Sequence, residues 1–207
     1  MVREYVEQNV YEVLHERLKL IFEEFDNIYV SFSGGKDSGL LLNLVLDYQK
    51  KNYPEKRIGV FHQDFEAQYT VTTQYIEQTF ERIRNDVEPY WVCLPMATRT
   101  ALSSYEMYWY PWDDTKKESW VRDMPDKDYV INMENNPITT YHYRMHQEDL
   151  AKQFGRWYRI SHDNKKTWNT IYSHLKEIGY RLTKEPIIIS PHQLGIPQLR
   201  ERVVILG

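Results

Sequence analysis

Cysteine is almost absent. Cys93 is the only one in 207 residues, which excludes an internal disulfide framework and any four-cysteine metal site. The N-terminus has no charged-then-apolar leader pattern, and no uninterrupted apolar run reaches membrane-spanning length. A cytoplasmic protein with no membrane partner is therefore expected. An excess of positive charge is lacking too: the formal net charge is −4, which argues against a chain coated for nucleic acid. The remainder, 42% hydrophobic and 27% charged residues, is ordinary for a soluble globular chain of one domain, or one domain with an appendage. The average hides an asymmetry. Residues 152–207 hold ten Lys and Arg against four Asp and Glu, a net +6, while residues 1–151 carry −10. The basic end is either a solvated face or a surface for an anionic partner such as DNA.

The stretch with most chemical content is Ser31-Phe32-Ser33-Gly34-Gly35-Lys36-Asp37-Ser38, between apolar runs at 28–30 and 40–46. A β-rich run, two glycines, a lysine with hydroxyls, and then a helix-forming run build an anion cradle at a helix N-terminus. Gly34 and Gly35 can take positive φ and bring bare N–H groups close to phosphate oxygens. Lys36 adds a point charge, and Ser33 and Ser38 add hydroxyl donors. Asp37 is the odd member, since a carboxylate beside phosphate needs an offsetting cation such as Mg²⁺, or else serves as a cap. The spacing is not that of a Walker A loop.

Periodicity organises the rest. Residues 3–25 read as an amphipathic helix with Val6, Val10, Val13, Leu14, Arg17, Leu18, Ile21 and Phe25 on one face. Strands are expected at 28–31, 58–62 and 90–94, with helices at 38–51 and 68–85 between them, which makes βαβ units and a parallel sheet. Residues 126–146 read mostly as loop, 147–158 as helix, and 161–166 as a polar break. Asp64 and Glu66 follow the second strand, where open α/β sheets bind ligands; they either face that ligand or cap the next helix. Cys93, inside an apolar run, reads as a small buried hydrophobe. Tyr105, Tyr108, Trp109, Tyr110, Trp112 and Trp120 crowd into sixteen residues. They form either a lid or interface with stacking surfaces, or a rigid aromatic minicore under a loop. His142 and His146 are four apart and Glu148 follows, but two histidines without a third convincing ligand suit a solvated face better than a metal, so no zinc is expected.

Ser33-Gly34-Gly35-Lys36-Asp37-Ser38 resembles the pyrophosphate-binding PP-loop of the ATP-pyrophosphatase and phosphoadenosine phosphosulfate (PAPS) reductase superfamily. With Tyr90-Trp91-Val92-Cys93-Leu94-Pro95, Trp109-Tyr110-Pro111-Trp112, Ser119-Trp120-Val121-Arg122-Asp123-Met124-Pro125 and Phe154-Gly155-Arg156-Trp157-Tyr158, the chain looks like the branch that includes the immunoglobulin-binding-regulator A proteins. The resemblance covers about residues 5–160. It implies an α/β fold, a parallel-sheet three-layer sandwich of the adenine nucleotide alpha hydrolase-like kind. It also implies ATP or a related adenine nucleotide as ligand, Lys36 and Asp37 at the reacting phosphate, Asp64 and Glu66 toward nucleotide or substrate, and in some cases a ParB-like protein partner. Catalytic and iron–sulfur cysteines of PAPS reductases have no counterpart here, so neither sulfonucleotide reduction nor an iron–sulfur cluster is expected.

From Thr167 the character changes. Residues 168–178 read as a helix stopped by Gly179, and 180–182, 186–190 and 203–206 as strands. Gly195-Ile196-Pro197-Gln198-Leu199-Arg200-Glu201-Arg202 resembles one block of DNA cytosine-5 methyltransferases, in which Gln198, Arg200 and Arg202 would serve the active site and DNA phosphates. The glycine-rich cofactor loop, the Pro-Cys nucleophile and the Glu-Asn-Val block are missing, so methyl transfer by this chain alone is not expected. The expected organisation is a shortened PP-loop domain at 1–160, then a methyltransferase-like fragment at 161–207 as a short helix-plus-strands appendage, joined by a fused or rearranged reading frame.

Overall fold

A computed structural model describes residues 7–162, 176, 187–189 and 202–204. The chain divides into two compact units, Met1–His162 and Asp163–Gly207. In the first, α1 (Val10–Glu24), β1 (Tyr29–Ser31), α2 (Lys36–Asn52), β2 (Ile58–Gln63), α3 (Thr70–Ile83) and β3 (Val87–Val92) follow the expected βαβ logic. Then come β4 (Thr98–Arg99), β5 (Tyr108–Trp109), a 3₁₀ turn at Asp114–Ser119, β6 (Val130–Ile131) and α4 (Gln147–Ser161). In the second, β7 (Ile187–Ile189) pairs antiparallel with β8 (Arg202–Val204), Ile188 lying opposite Val203.

The main sheet is four parallel strands in the order β1-β2-β3-β6. Side chains alternate across it, as period-two strands require. Val30, Val60, Trp91 and Val130 join a core with Leu18 and Phe22 of α1, Leu42, Val45 and Leu46 of α2, and Ile76, Phe80 and Ile83 of α3. Phe61, Val92 and Ile131 join a second core with Leu150, Phe154 and Tyr158 of α4. The sheet is thus flanked by helices on both faces. Gly59 lets α4 close down: a Cβ there would stand 3.0 Å from the Tyr158 ring.

Several expectations move. The first helix begins at Val10, because Asn9 caps it: its side chain accepts from Glu12 N at 3.0 Å, and the Glu12 carboxylate returns to Asn9 N. Its buried stripe runs Leu14, Leu18 and Phe22, whereas Val10, Ile21 and Phe25 are exposed. The third strand begins at Val87, running through Pro89 rather than starting after it. Trp91 and Cys93 donate to the Tyr129 and Ile131 carbonyls at 3.1 and 2.8 Å, so alternate residues of β3 turn their N–H toward β6. Pro89 falls on that side, below the end of β6, and its missing N–H leaves no ladder bond unmade. Residues 126–146 are not simply loop: Val130–Ile131 is the fourth strand. A small antiparallel hairpin, Thr98 opposite Trp109, was also not expected. Among the described residues no helix is long and apolar enough to cross a membrane.

Candidate functional site

The 33–38 loop links the carboxyl end of β1 to α2. Phe32 still belongs to the strand's bonding pattern, donating to the Phe61 carbonyl at 2.8 Å. Gly34 then turns with φ +78°, and a Cβ at that position would sit 2.7 Å from the Ile76 side chain. Only glycine meets both conditions. Gly35 is extended, φ −79° and ψ 163°, and is the N-cap of α2 with no side-chain cap bond. The first N–H groups of α2 are therefore left to solvent or a ligand. The two serines brace the loop from inside. The Ser33 and Ser38 hydroxyls lie 2.9 Å apart, and Ser38 Oγ donates to the Gly35 carbonyl at 3.1 Å. Lys36 and Asp37 occupy the first helical turn and are exposed.

Beneath the loop lies His62, 1% exposed. Its Nδ1 is 2.8 Å from the Phe32 carbonyl, immediately before Ser33, and its Nε2 is buried with no partner. Nδ1 is therefore the donor of a neutral ring, seated edge-on to Trp91 at 5.2 Å. Burial lowers its pKa, with Arg122 adding to that and Asp64 and the Phe32 bond opposing it.

Asp64 and Glu66 turn inward. Both are buried, and each accepts hydrogen bonds from the segment after the hairpin. Arg122 donates to both Asp64 oxygens at 2.6 Å, Trp91 Nε1 donates to Oδ2 at 2.6 Å, and Glu66 N donates to Oδ1 at 2.7 Å. Glu66 accepts from Trp112 N and Val121 N, both at 2.7 Å. The Arg122 guanidinium also lies 4.8 Å from the Trp112 ring centre. These carboxylates lock residues 112–122 onto the end of β2. They do not cap α3, whose N-cap is Tyr69. Glu66 and Trp112, at φ 60° and 55°, hold left-handed backbone conformations that ordinary side chains disfavour.

The crowded aromatics divide accordingly. Trp112 is buried and meets Trp120 edge-on at 5.2 Å, a minicore, whereas Tyr105 is 97% exposed. Cys93 is fully buried, and its thiol pKa is pushed well above the usual value by burial first and by Asp64 at 3.8 Å next. Sequence reasoning overlooked His62 and Arg122. A lone arginine among tryptophans was the available signal for the second. Among the described residues no three His, Cys, Asp or Glu side chains gather as metal ligands. Gln198 and Arg200 lie outside the described residues, and Arg202 opens β8.

The fold and site define an α/β chain with a glycine-turn loop at a helix N-terminus. Residues 159–207 match the family of C-5 cytosine-specific DNA methylases. The uncharacterized protein YbdN of Escherichia coli (strain K12) is 32% identical over 151 residues, which cover 72% of this chain and 36% of YbdN. The chain thus spans about a third of that relative's length. No solved structure matches significantly.

Proposed function

We propose that the first unit is a PP-loop domain of the PAPS reductase-like kind, folded as a three-layer sandwich, that binds ATP or a related adenine nucleotide by its pyrophosphate. The reading rests on the Gly34–Gly35 turn, which keeps a positive-φ glycine packed on Ile76 and offers an exposed, uncapped helix N-terminus. Lys36 supplies charge, the first N–H groups of α2 supply hydrogen bonds, the Ser33 and Ser38 hydroxyls would contact phosphate by turning from their bonds inside the loop, and Asp37 would share Mg²⁺ with phosphate oxygens. In a turnover reaction a substrate nucleophile would attack the α-phosphorus. The bond to pyrophosphate would break while Lys36 and the loop amides stabilise the leaving charge. Titration calorimetry with Mg²⁺-ATP and with PAPS tests the reading. The wild-type chain should bind ATP roughly tenfold or more tightly than Lys36→Ala, the loss of a charge-assisted contact. Equal, weak binding by both proteins would sink the idea.

A second reading is a nucleotide-dependent regulator of a protein, ParB-like or otherwise, rather than an enzyme. The inward locking of Asp64 and Glu66 favours it, since neither carboxylate is free to handle a substrate. Formation of AMP and pyrophosphate in a substrate mixture would count against it. The methylase-like match at 159–207 motivates a DNA contact through Gln198, Arg200 and Arg202. Salt-dependent DNA binding lost on replacing both arginines by alanine is its signature.

A further inference from the structure

Away from the loop, a cavity of about 400 Å³ opens beside the first half of β3 and the whole of β6. Beside Val130 and Ile131, its apolar walls include the rings of Pro89, Tyr90, Pro137 and Trp157, the Tyr90 and Trp157 centres 5.5 Å apart and nearly perpendicular at 84°. Its polar lining is largely spent. Tyr90 donates its hydroxyl to Glu88 at 3.1 Å, and Asp128 takes two bonds from Arg84 at 3.1 and 3.0 Å. Asn135 gives one amide hydrogen to the Val130 carbonyl at 2.8 Å, and its oxygen accepts from Asn132 N at 2.8 Å. The exposed Asp128 carboxylate still accepts, and two donors are also left. The Trp157 indole N–H makes no hydrogen bond among the described residues, and Asn135 keeps its second amide hydrogen. A matching ligand carries acceptors for these donors and apolar rings for the walls.

An extended peptide cannot enter here by adding a strand. Pro89 has no N–H, and the outward groups of β6 are already used, Val130 N on the Lys127 carbonyl at 3.1 Å and the Val130 carbonyl on Asn135. We propose that the cavity takes a proline-rich segment of a partner protein in the polyproline II conformation. Such a segment lacks N–H groups and turns its carbonyls outward. Its pyrrolidine rings pack on aromatic walls, and an indole N–H donates to a backbone carbonyl, the chemistry of aromatic grooves that read proline. This site is independent of the nucleotide reading of the loop.

The test tracks Trp indole N–H signals of the ¹⁵N-labelled full chain during titration with a polyproline peptide about ten residues long. One indole signal should shift saturably. Trp157→Phe, which keeps a ring in the wall, should delete that signal and weaken peptide binding about fivefold, the effect of one lost hydrogen bond. An alanine-based peptide of equal length should not bind. Three results would overturn the proposal: no shift at millimolar peptide, unchanged affinity in Trp157→Phe with a wild-type melting temperature, or a Trp157 signal that answers adenosine and not polyproline.

Discussion

At one edge of the main sheet, β1 turns the backbone of Tyr29 and Ser31 outward with no hydrogen bond on that side among the described residues. At the other, the outward N–H and carbonyl of Val130 are both taken by the protein's own turns. Natural sheets usually blunt their edges, and among the described residues this is seen at the edge remote from the loop. The strand order β1-β2-β3-β6 contains no reversal, so the loop lies at the end of an outer strand and not in a crevice between two diverging halves. One wall beside it comes from β2 and its carboxyl-terminal extension, already filled by the Asp64–Arg122 lock. On the other side no described residue bonds the β1 edge. That difference separates the glycine-turn loop at one edge from the cavity that belongs to the far edge.

The βα unit around the loop was legible in the sequence because its cues are local: glycines at a turn, an apolar run on either side, and a spacing that only a strand and a helix accommodate. The far edge was not. Val130–Ile131 is too short to show a period, and it sits between charged residues and an asparagine turn whose capping bonds depend on the finished sheet. Pro89 misled for a related reason, since its tolerance depends on where β6 stops. The Arg122–Asp64 contact joins residues 58 positions apart, and nothing at Asp64 itself tells whether the carboxylate faces a ligand or a guanidinium.

The largest expected effect tests whether the filled wall is structural. Arg122→Ala leaves the Asp64 carboxylate, 0% exposed, without its cation. Breaking a buried pair in this way should lower the unfolding free energy by about 3–5 kcal/mol. Urea denaturation measures it, with Lys50→Ala at the exposed Lys50–Asp86 pair as a reference expected to leave the midpoint nearly unchanged. Equal midpoints in the two variants would show that the lock carries no weight.

A smaller effect belongs to the loop's foundation. His62 is buried neutral, and its pKa lies below the ordinary 6.5. Above that pH the ring is neutral in both folded and unfolded chains, and stability is full. As pH falls from 6.5 the unfolded chain takes up a proton that the folded one refuses, so stability is lost until pH reaches the folded value. The slope contributed by one such group is at most about 1.4 kcal/mol per pH unit. Comparing wild type with His62→Gln between pH 7.5 and 5.5 isolates it. Parallel curves would mean that His62 does not sense pH in this range.

The smallest energetic change opens the finished edge. Asn135→Ala removes the amide bond to the Val130 carbonyl and the acceptor for Asn132 N, both on a largely exposed turn, at a cost of about 1 kcal/mol. Its consequence for association should exceed its consequence for stability. With the Val130 carbonyl released, β6 offers an unpaired acceptor beside the Pro89 cavity, and a second copy or an extended peptide gains a foothold that the wild-type edge denies. Sedimentation velocity over a concentration series should show wild type unchanged and Asn135→Ala shifting toward a dimer. If the variant remains as monodisperse as wild type while losing stability, the turn holds Val130 in place without guarding the edge, and the contrast between the two edges reduces to strand length.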